Sequence, residues 1–391
     1  MAEHAILSAS GASRWLACTP SAQLEQQFQD QQSDYAAEGS FAHALADLKL
    51  SRAVANTTKP SVFKRKLAAL RNETLYSTGL EEYVDQYVAQ VSERYLACVG
   101  KCPDTLALLE QRLDFSDWVP GGFGTGDVVI ISDDVIEVID LKYGKGVPVS
   151  AEGNPQIRLY GLGAIKTYEM LYNFTRVRMT IIQPRLDSIS TEEMTVNELL
   201  TWAEEHIKPR AALAIAGEGE FAAGEHCRFC KARATCRARA DHNLELAKYD
   251  FQESFLLSHD EIANVLARAE ELAKWANDVQ EYALDQATNH GVKFPGWKLV
   301  EGRSNRKYAD EAKVGTALTE AGYTDSVIYT RSLLGITGME KMLGKKRFAE
   351  LLNGLIVKPA GKPTLVLESD KRTEISSADD AKADFSEAVS S

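Results

Sequence analysis

The chain has 391 residues, 45% apolar and 26% charged, with a formal net charge of −12 at pH 7. That is a globular composition, and no run approaches the ~18 consecutive apolar residues a membrane-spanning helix needs. The acidic balance argues against tight, indiscriminate attraction to a polyanion. The field that matters is local, within a Debye length of about 8–10 Å, and residues 368–391, predicted to be disordered, hold seven of the acids against three basic residues.

The opening MAEHAILSASGASRW lacks the basic start and long apolar stretch of a secretory signal, so the expectation is a cytoplasmic protein with no membrane contact. Residues 5–30 read as a short helix starting at Ser10 or Ser13, with Trp15 and Leu16 on its apolar side. Helical patterns follow at 38–50, 62–71 and 80–98. At Thr105 the period changes: LALLEQRLDF, GTGDVVIIS and VIEVIDLKY are short Val-, Ile- and Leu-rich segments between Gly or Asp turns, which are strand signals. A helix at 154–172 and a strand, RVRMTIIQP, come next, then helix over 191–216. This order predicts an α/β core with a mixed sheet.

A long amphipathic helix is predicted over 258–290, its seam of Ile262, Leu266, Leu272 and Trp275 read as internal packing. From Pro295 to about 367, short strands such as WKLVEG mix with helices at 310–320 and 345–353. The chain therefore divides into a core (1–245), an α+β accessory region (246–367) and the acidic tail (368–391), with no internal repeat.

Six cysteines in a cytoplasmic chain point to metal or redox chemistry before disulfides. Cys227, Cys230 and Cys236 stand within ten residues among basic neighbours (HCRFCKARATCRAR), a setting expected to favour the thiolate that ligates metals. Three thiols need a fourth donor, for which His226 and the distant Cys18 are candidates. Spacing alone leaves zinc and iron–sulfur open, with buried reduced cysteines as the plain alternative. Cys98 and Cys102, four apart near a helix end, read as core, with an alternative ligand pair as the other reading.

Asp127 lies just inside a strand after a glycine turn, and Asp140 and Lys142 lie near the end of the next strand. Residues two apart on a strand share a face, so Asp140 and Lys142 point together and Asp127 can face them. Two facing carboxylates repel until a divalent cation neutralises them; the cation also holds a phosphate and lowers the pKa of bound water, while a lysine stabilises developing charge. His43, in Gly39-x-x-x-His43, can add an imidazole, and Gln156 and Tyr160 sit one helical turn apart on one face. Alone, each part reads as an ordinary strand end, helical histidine or amphipathic helix; their order is what carries information.

His43, Asp127, Asp140-Leu141-Lys142 and Gln156-Ile-Arg-Leu-Tyr160 resemble, in that order, the signature of RecB-like PD-(D/E)XK nucleases. The resemblance covers roughly residues 8–240. It implies a restriction-endonuclease-like core with a mixed central sheet flanked by helices, Mg²⁺ or Mn²⁺ on His43, Asp127 and Asp140, a catalytic Lys142, and the Gln156–Tyr160 helix beside DNA. One cysteine upstream and C-x2-C-x5-C downstream resemble the [4Fe–4S] arrangement of the AddB subunit and CRISPR-associated exonucleases, implying a cluster on Cys18, Cys227, Cys230 and Cys236 that ties the chain ends together. FPGWKLVEGRSNRKY and GKPTLVLESDKR resemble a phage- and prophage-associated family of unknown function.

The implied activity is metal-dependent exonucleolytic hydrolysis of single- or double-stranded DNA, in phage recombination beside a single-strand annealing protein. Arg14, Trp15, Arg158 and Tyr160 are candidate DNA contacts. A catalytically silent DNA-binding protein and an iron–sulfur redox regulator are the alternatives. No P-loop motor is present, and GGFGTG leads into a strand, so it is no dinucleotide motif.

Overall fold

The computed structural model describes residues 5–28, 34–245, 258–298, 316, 319–320 and 336–352. Two compact units divide at His290 and Gly291, so the long helix belongs to the first unit, past residue 245 where the sequence places the boundary.

In the first unit α1 (Ala12–Ala17), α2 (Ser21–Leu24), α3 (Asp34–Ala53), α4 (Pro60–Arg71) and α5 (Thr78–Val99) precede three strands: β1 (Leu106–Asp114), β2 (Phe123–Ser132) and β3 (Val135–Leu141). Then come α6 (Pro155–Tyr168), β4 (Arg176–Gln183), β5 (Ser188–Thr195), α7 (Val196–Trp202), α8 (Lys208–Ala216), α9 (Arg237–Leu244) and α10 (His259–Asn289). Ser8, not Ser10 or Ser13, starts the first helical turn, its hydroxyl accepting the Gly11 N–H. Asn154 caps α6 by accepting from the Gln156 and Ile157 N–H groups.

The five strands lie in sequence order. Neighbours are antiparallel except β3 and β4, which are parallel and joined through α6. The VVII run of β2 shows why an unbroken apolar strand belongs here. Val129 and Ile131 enter the cluster shared with α6, while Val128 and Ile130 enter the one shared with α3 and α5. A strand covered on both faces has no polar side to alternate.

The sheet holds one strand more than the sequence suggests. β5, SISTEEMT, is an edge strand with no buried residue, so the apolar alternation that signals a strand is missing. Helix starts only at Val196, where Thr195 and Glu198 form a capping box, rather than at 191. A π-helical turn, Ala203–Ile207, separates α7 from α8 just before Pro209, which has no N–H to donate.

The expected seam of α10 is covered only in part. Leu272 and Trp275 are half-buried, but Ile262 and Leu266 are 41% and 52% exposed. The helix is held by charge: Arg239 of α9, 1% exposed, donates to Glu271 at 2.8 Å and to Asp278 at 2.5 Å, and Arg233 pairs with Asp278 at 2.9 Å. Among the described residues no helix is long and apolar enough to cross a membrane. In the second unit α11 (Ile336–Leu343) and α12 (Lys345–Leu352) flank Gly344, whose φ of 75° suits glycine. Trp297 and Lys298 of the expected WKLVEG strand are in no strand. The rest of that strand, most of the 310–320 helix and the 368–391 tail lie outside the described residues.

α6 crosses β1 so closely that a Cβ on Gly163 would stand 2.8 Å from Leu113 Cβ and 3.0 Å from its carbonyl carbon. Gly163→Ala therefore lowers the urea midpoint by the equivalent of about 1–3 kcal/mol, although helix propensity alone would raise it by about 1 kcal/mol. A stabilised variant would contradict this packing.

Candidate active site

β2 and β3 pair with Val128 opposite Ile139. One step further in that register Asp127 faces Asp140, with both side chains on the same face of the sheet. Ladder pairing stops there, and the Leu141 N–H donates instead to Asp127 Oδ2 at 2.7 Å. The other carboxylate oxygen, Oδ1, lies 3.1 Å from Nδ1 of His43 on α3.

Lys142 follows directly on β3. Its Nζ lies 2.9 Å from Asp140 Oδ2 and donates to Gln156 Oε1 at 2.8 Å. That ion pair is the one polar contact found for this buried Oδ2 among the described residues. Gln156 Nε2 donates in turn to the Tyr160 hydroxyl at 3.3 Å. His43, Asp127, Asp140, Lys142, Gln156 and Tyr160 thus form one connected set drawn from α3, β2, the end of β3 and α6.

Burial raises the Asp140 carboxyl, with Lys142 opposing and the Asp127 charge adding to the rise. At His43 burial works to lower the imidazole, but the hydrogen bond and charge of Asp127, with Asp140, raise it overall. Burial, then Asp140, raises the Tyr160 phenol. The site therefore carries an excess of negative charge that the ammonium of Lys142 only partly offsets.

Two glycines of the motifs have packing explanations. Gly124-Thr125-Gly126-Asp127 is not the expected turn but part of β2, and a Cβ on Gly124 would stand 2.5 Å from Tyr160 Cε1, so the glycine lets the tyrosine ring lie against the strand. A Cβ on Gly39 would meet nothing within 4 Å, and Gly39 lines an open cleft of about 620 Å³ with Ser40, His43, Asp47 and Glu110.

Glu110 is absent from the sequence reading. The β1–β2 register, Leu109 opposite Val128 and Gln111 opposite Gly126, sets it opposite Asp127, and it takes a φ of 50°, uncommon for a residue with a side chain. Though open to the cleft, its carboxyl is desolvated by the walls and repelled by Asp127 and Asp47, which pushes it up to about 7. Its only signal in the sequence was one acid inside the apolar run LALLE, and that means little until register puts it beside Asp127. Tyr87 was also missed: its buried hydroxyl has no hydrogen-bond partner, and burial, with the charges of Asp127 and Asp140, holds its phenol well up.

The expected nucleic-acid contacts fare unevenly. Trp15 is 3% exposed and donates its indole N–H to the Ser8 carbonyl, so it is core and offers no stacking face. Arg14 is bound to Glu25 at 2.7 Å. Arg158 is bound to Glu192 at 2.8 Å and lies over the Trp202 ring.

The N-terminal segment closes on the cysteine segment through ordinary hydrogen bonds. Thr19 Oγ1 donates to the Glu218 carbonyl at 2.6 Å, Gln23 Nε2 to the Ile215 carbonyl at 2.7 Å, and the Lys231 N–H to Glu25 Oε1 at 2.7 Å. Cys18, Cys227 and Cys230 are buried, Cys236 half-buried, and all are free thiols. A hydrogen bond with Cys18 is the main cause raising the His226 imidazole. Burial raises the Cys227 thiol and pushes Cys230 up to about 11. The expected ionisation by basic neighbours is therefore reversed at these two, because desolvation outweighs nearby charge. Donor chemistry at both places suits a cation: unsatisfied carboxylate at one, buried thiols at the other. Among the described residues, however, no three His, Cys, Asp or Glu side chains are grouped closely enough to hold a metal as placed. Cys98 packs beside the α3–α5 core, as expected.

A carboxyl whose folded value exceeds its unfolded one destabilises the fold once ionised. For Glu110 that penalty is absent below the ordinary value of 4.5, grows as pH rises, and is complete above about 7. In chelator, Glu110→Gln should have a higher urea midpoint than the parent at pH 8, the gap closing at pH 4. A gap that is constant with pH would show that Glu110 does not titrate in this interval.

A solved structure titled "Crystal structure of SSO0001" is 16% identical over 58% of this chain and 96% of its own, with a TM-score of 0.24. The family model described as "Protein of unknown function (DUF2800)" matches residues 4–373. The chain belongs to that family.

Proposed function

We propose that the chain is a metal-dependent deoxyribonuclease with a PD-(D/E)XK core, an exonuclease acting on DNA ends in phage recombination in the cytoplasm. The observation that carries this reading is the set of His43, Asp127, Asp140 and Lys142 drawn from α3, β2 and the end of β3, with a buried Asp140 oxygen whose partner among the described residues is the Lys142 ammonium alone. A purely structural carboxylate pair has no need of that arrangement, which costs desolvation without full pairing.

His43, Asp127 and Asp140 are the residues that would hold Mg²⁺ or Mn²⁺. When bound, such an ion neutralises the facing carboxylates, polarises the scissile phosphate and lowers the pKa of water. Asp127 is oriented for this by the Leu141 N–H. Lys142, aimed by Gln156, stabilises charge developing on the phosphate oxygens. Tyr160 holds Gln156 in place. Water oxygen bonds to phosphorus, the bond to the leaving oxygen breaks, and that oxygen takes up a proton.

Cys18, Cys227, Cys230 and Cys236 are proposed as ligands of a [4Fe–4S] cluster, with zinc as the alternative. What supports a centre here is the burial of Cys18, Cys227 and Cys230, with Cys236 half-buried, where the N-terminal segment closes on the cysteine segment.

The test is digestion of linear duplex and single-stranded DNA by anaerobically purified protein with Mn²⁺ or Mg²⁺. Expected are nucleotide release, its loss by about 10²-fold or more in Lys142→Ala with DNA affinity retained, and about four irons per chain. Intact DNA in every condition sinks the nuclease reading and, if DNA still binds, leaves a silent DNA-binding protein. Zinc in place of iron overturns the cluster.

A further inference from the structure

The −12 chain carries one concentrated block of opposite charge near the site. From residue 59 to 71 the sequence KPSVFKRKLAALR holds five basic residues and no acid. Arg71 is committed to Glu81 at 2.8 Å. Lys59, Lys64, Arg65 and Lys66 are exposed, and no ion pair to any of them is found among the described residues. They span about 10 Å of helix, close to one Debye length, so their fields add.

α4 also forms one wall of a groove of about 570 Å³, through Lys66, Ala69 and Leu70; α3 and β1 form the other walls. This groove meets the cleft beside His43, both being lined by Ala44 and Asp47. His43, Asp47 and Ser51 follow one another at four-residue intervals along one face of α3, so the groove leads from the imidazole toward the basic helix. Thr57 and Thr58, in the turn before α4, add hydroxyl groups to its lining.

We infer that the groove between α3, α4 and β1 seats a single nucleic-acid strand, with Lys66 in its wall as a phosphate contact and Lys59, Lys64 and Arg65, exposed at the N-cap and along α4 outside its lining, adding to the field that draws the backbone in. The inference rests on the nuclease reading for the strand's destination, since the groove meets the cleft that His43 lines. Its volume of about 570 Å³ is that of a pocket for a small molecule, room for a nucleotide unit of a flexible single strand. Four lysines and arginines without a base-reading partner position a backbone and carry no sequence preference.

The experiment is fluorescence anisotropy of a labelled oligothymidylate of about 20 nucleotides, titrated with full-length protein in EDTA between about 50 and 200 mM NaCl. The K59Q/K64Q/R65Q/K66Q variant is compared with K66Q alone, the one cation of the four that lines the groove, and with a control neutralising Lys101, Lys208, Lys293 and Lys298, all off α4. Each lost phosphate contact removes about 0.7 from the slope of log affinity against log salt for single strands. The α4 variant should thus lose between about 0.7 and 3 from that slope and at least about 10-fold in affinity at the lower salt, and K66Q alone about 0.7 from the slope. The control should keep most of both, and all four proteins should share one urea midpoint. The inference is overturned if the parent does not bind, if the control loses as much as the α4 variant, or if a blunt duplex binds as tightly with the same dependence on α4. Cleavage of the same oligonucleotide in Mn²⁺ is scored separately: binding through α4 without cleavage ends the nuclease reading and leaves the groove, whereas cleavage unaffected by α4 does the reverse.

Discussion

The carboxylate of Asp127 joins three elements that chain connectivity does not. One oxygen meets His43 of α3, the other takes the Leu141 N–H where the β2–β3 ladder ends, and the residue itself belongs to β2. Without it the Leu141 N–H would need another acceptor, and an unpaired buried N–H costs about 1–3 kcal/mol. The same register that makes this bond sets Asp140 opposite and, two residues on, Lys142. Local structure and proposed chemistry therefore share one cause: a ladder that stops one residue early and gives its last N–H to a side chain.

Much of this was legible in the sequence, and the reasons are specific. The Val- and Ile-rich run around VVII read as a strand, its burial on both faces being what the structure adds, and the D-x-K spacing put Asp140 and Lys142 on one side. The Gln156–Tyr160 spacing placed two side chains on one helical face, and the structure ties them together. Other features were hidden. β5 has no apolar face to announce it; the capping box at Thr195 was the available signal for where helix begins. Trp15 looked like a stacking surface because composition cannot tell a core indole from an exposed one. Glu110 could not be found without register, since its meaning comes from the residue across the ladder and from its left-handed backbone.

The cysteine segment shows a different limit. Basic neighbours suggested easily ionised thiols, but Cys227 and Cys230 are buried, and desolvation outweighs arginines whose charge is largely spent on water or on partners such as Asp278. The closure of the N-terminal segment onto this region stands on hydrogen bonds from Thr19, Gln23 and Lys231, so a cluster there would reinforce an existing contact rather than create it. Net charge misleads in a similar way. The −12 total sits beside a helix with four exposed cations, and the groove along that helix meets the cleft lined by His43, Asp47 and Glu110.

The central claim is that Asp127 and Asp140 are arranged for a divalent ion rather than for each other. Titration of chelator-treated protein with Mn²⁺, followed by the loss of the free-ion paramagnetic resonance signal, tests it without requiring turnover. The account predicts about one ion bound per chain at a hard, oxygen-rich site, abolished in the Asp127→Asn/Asp140→Asn double variant while the fold persists. Mn²⁺ binding that survives in the double variant, or its absence in the parent, would contradict it.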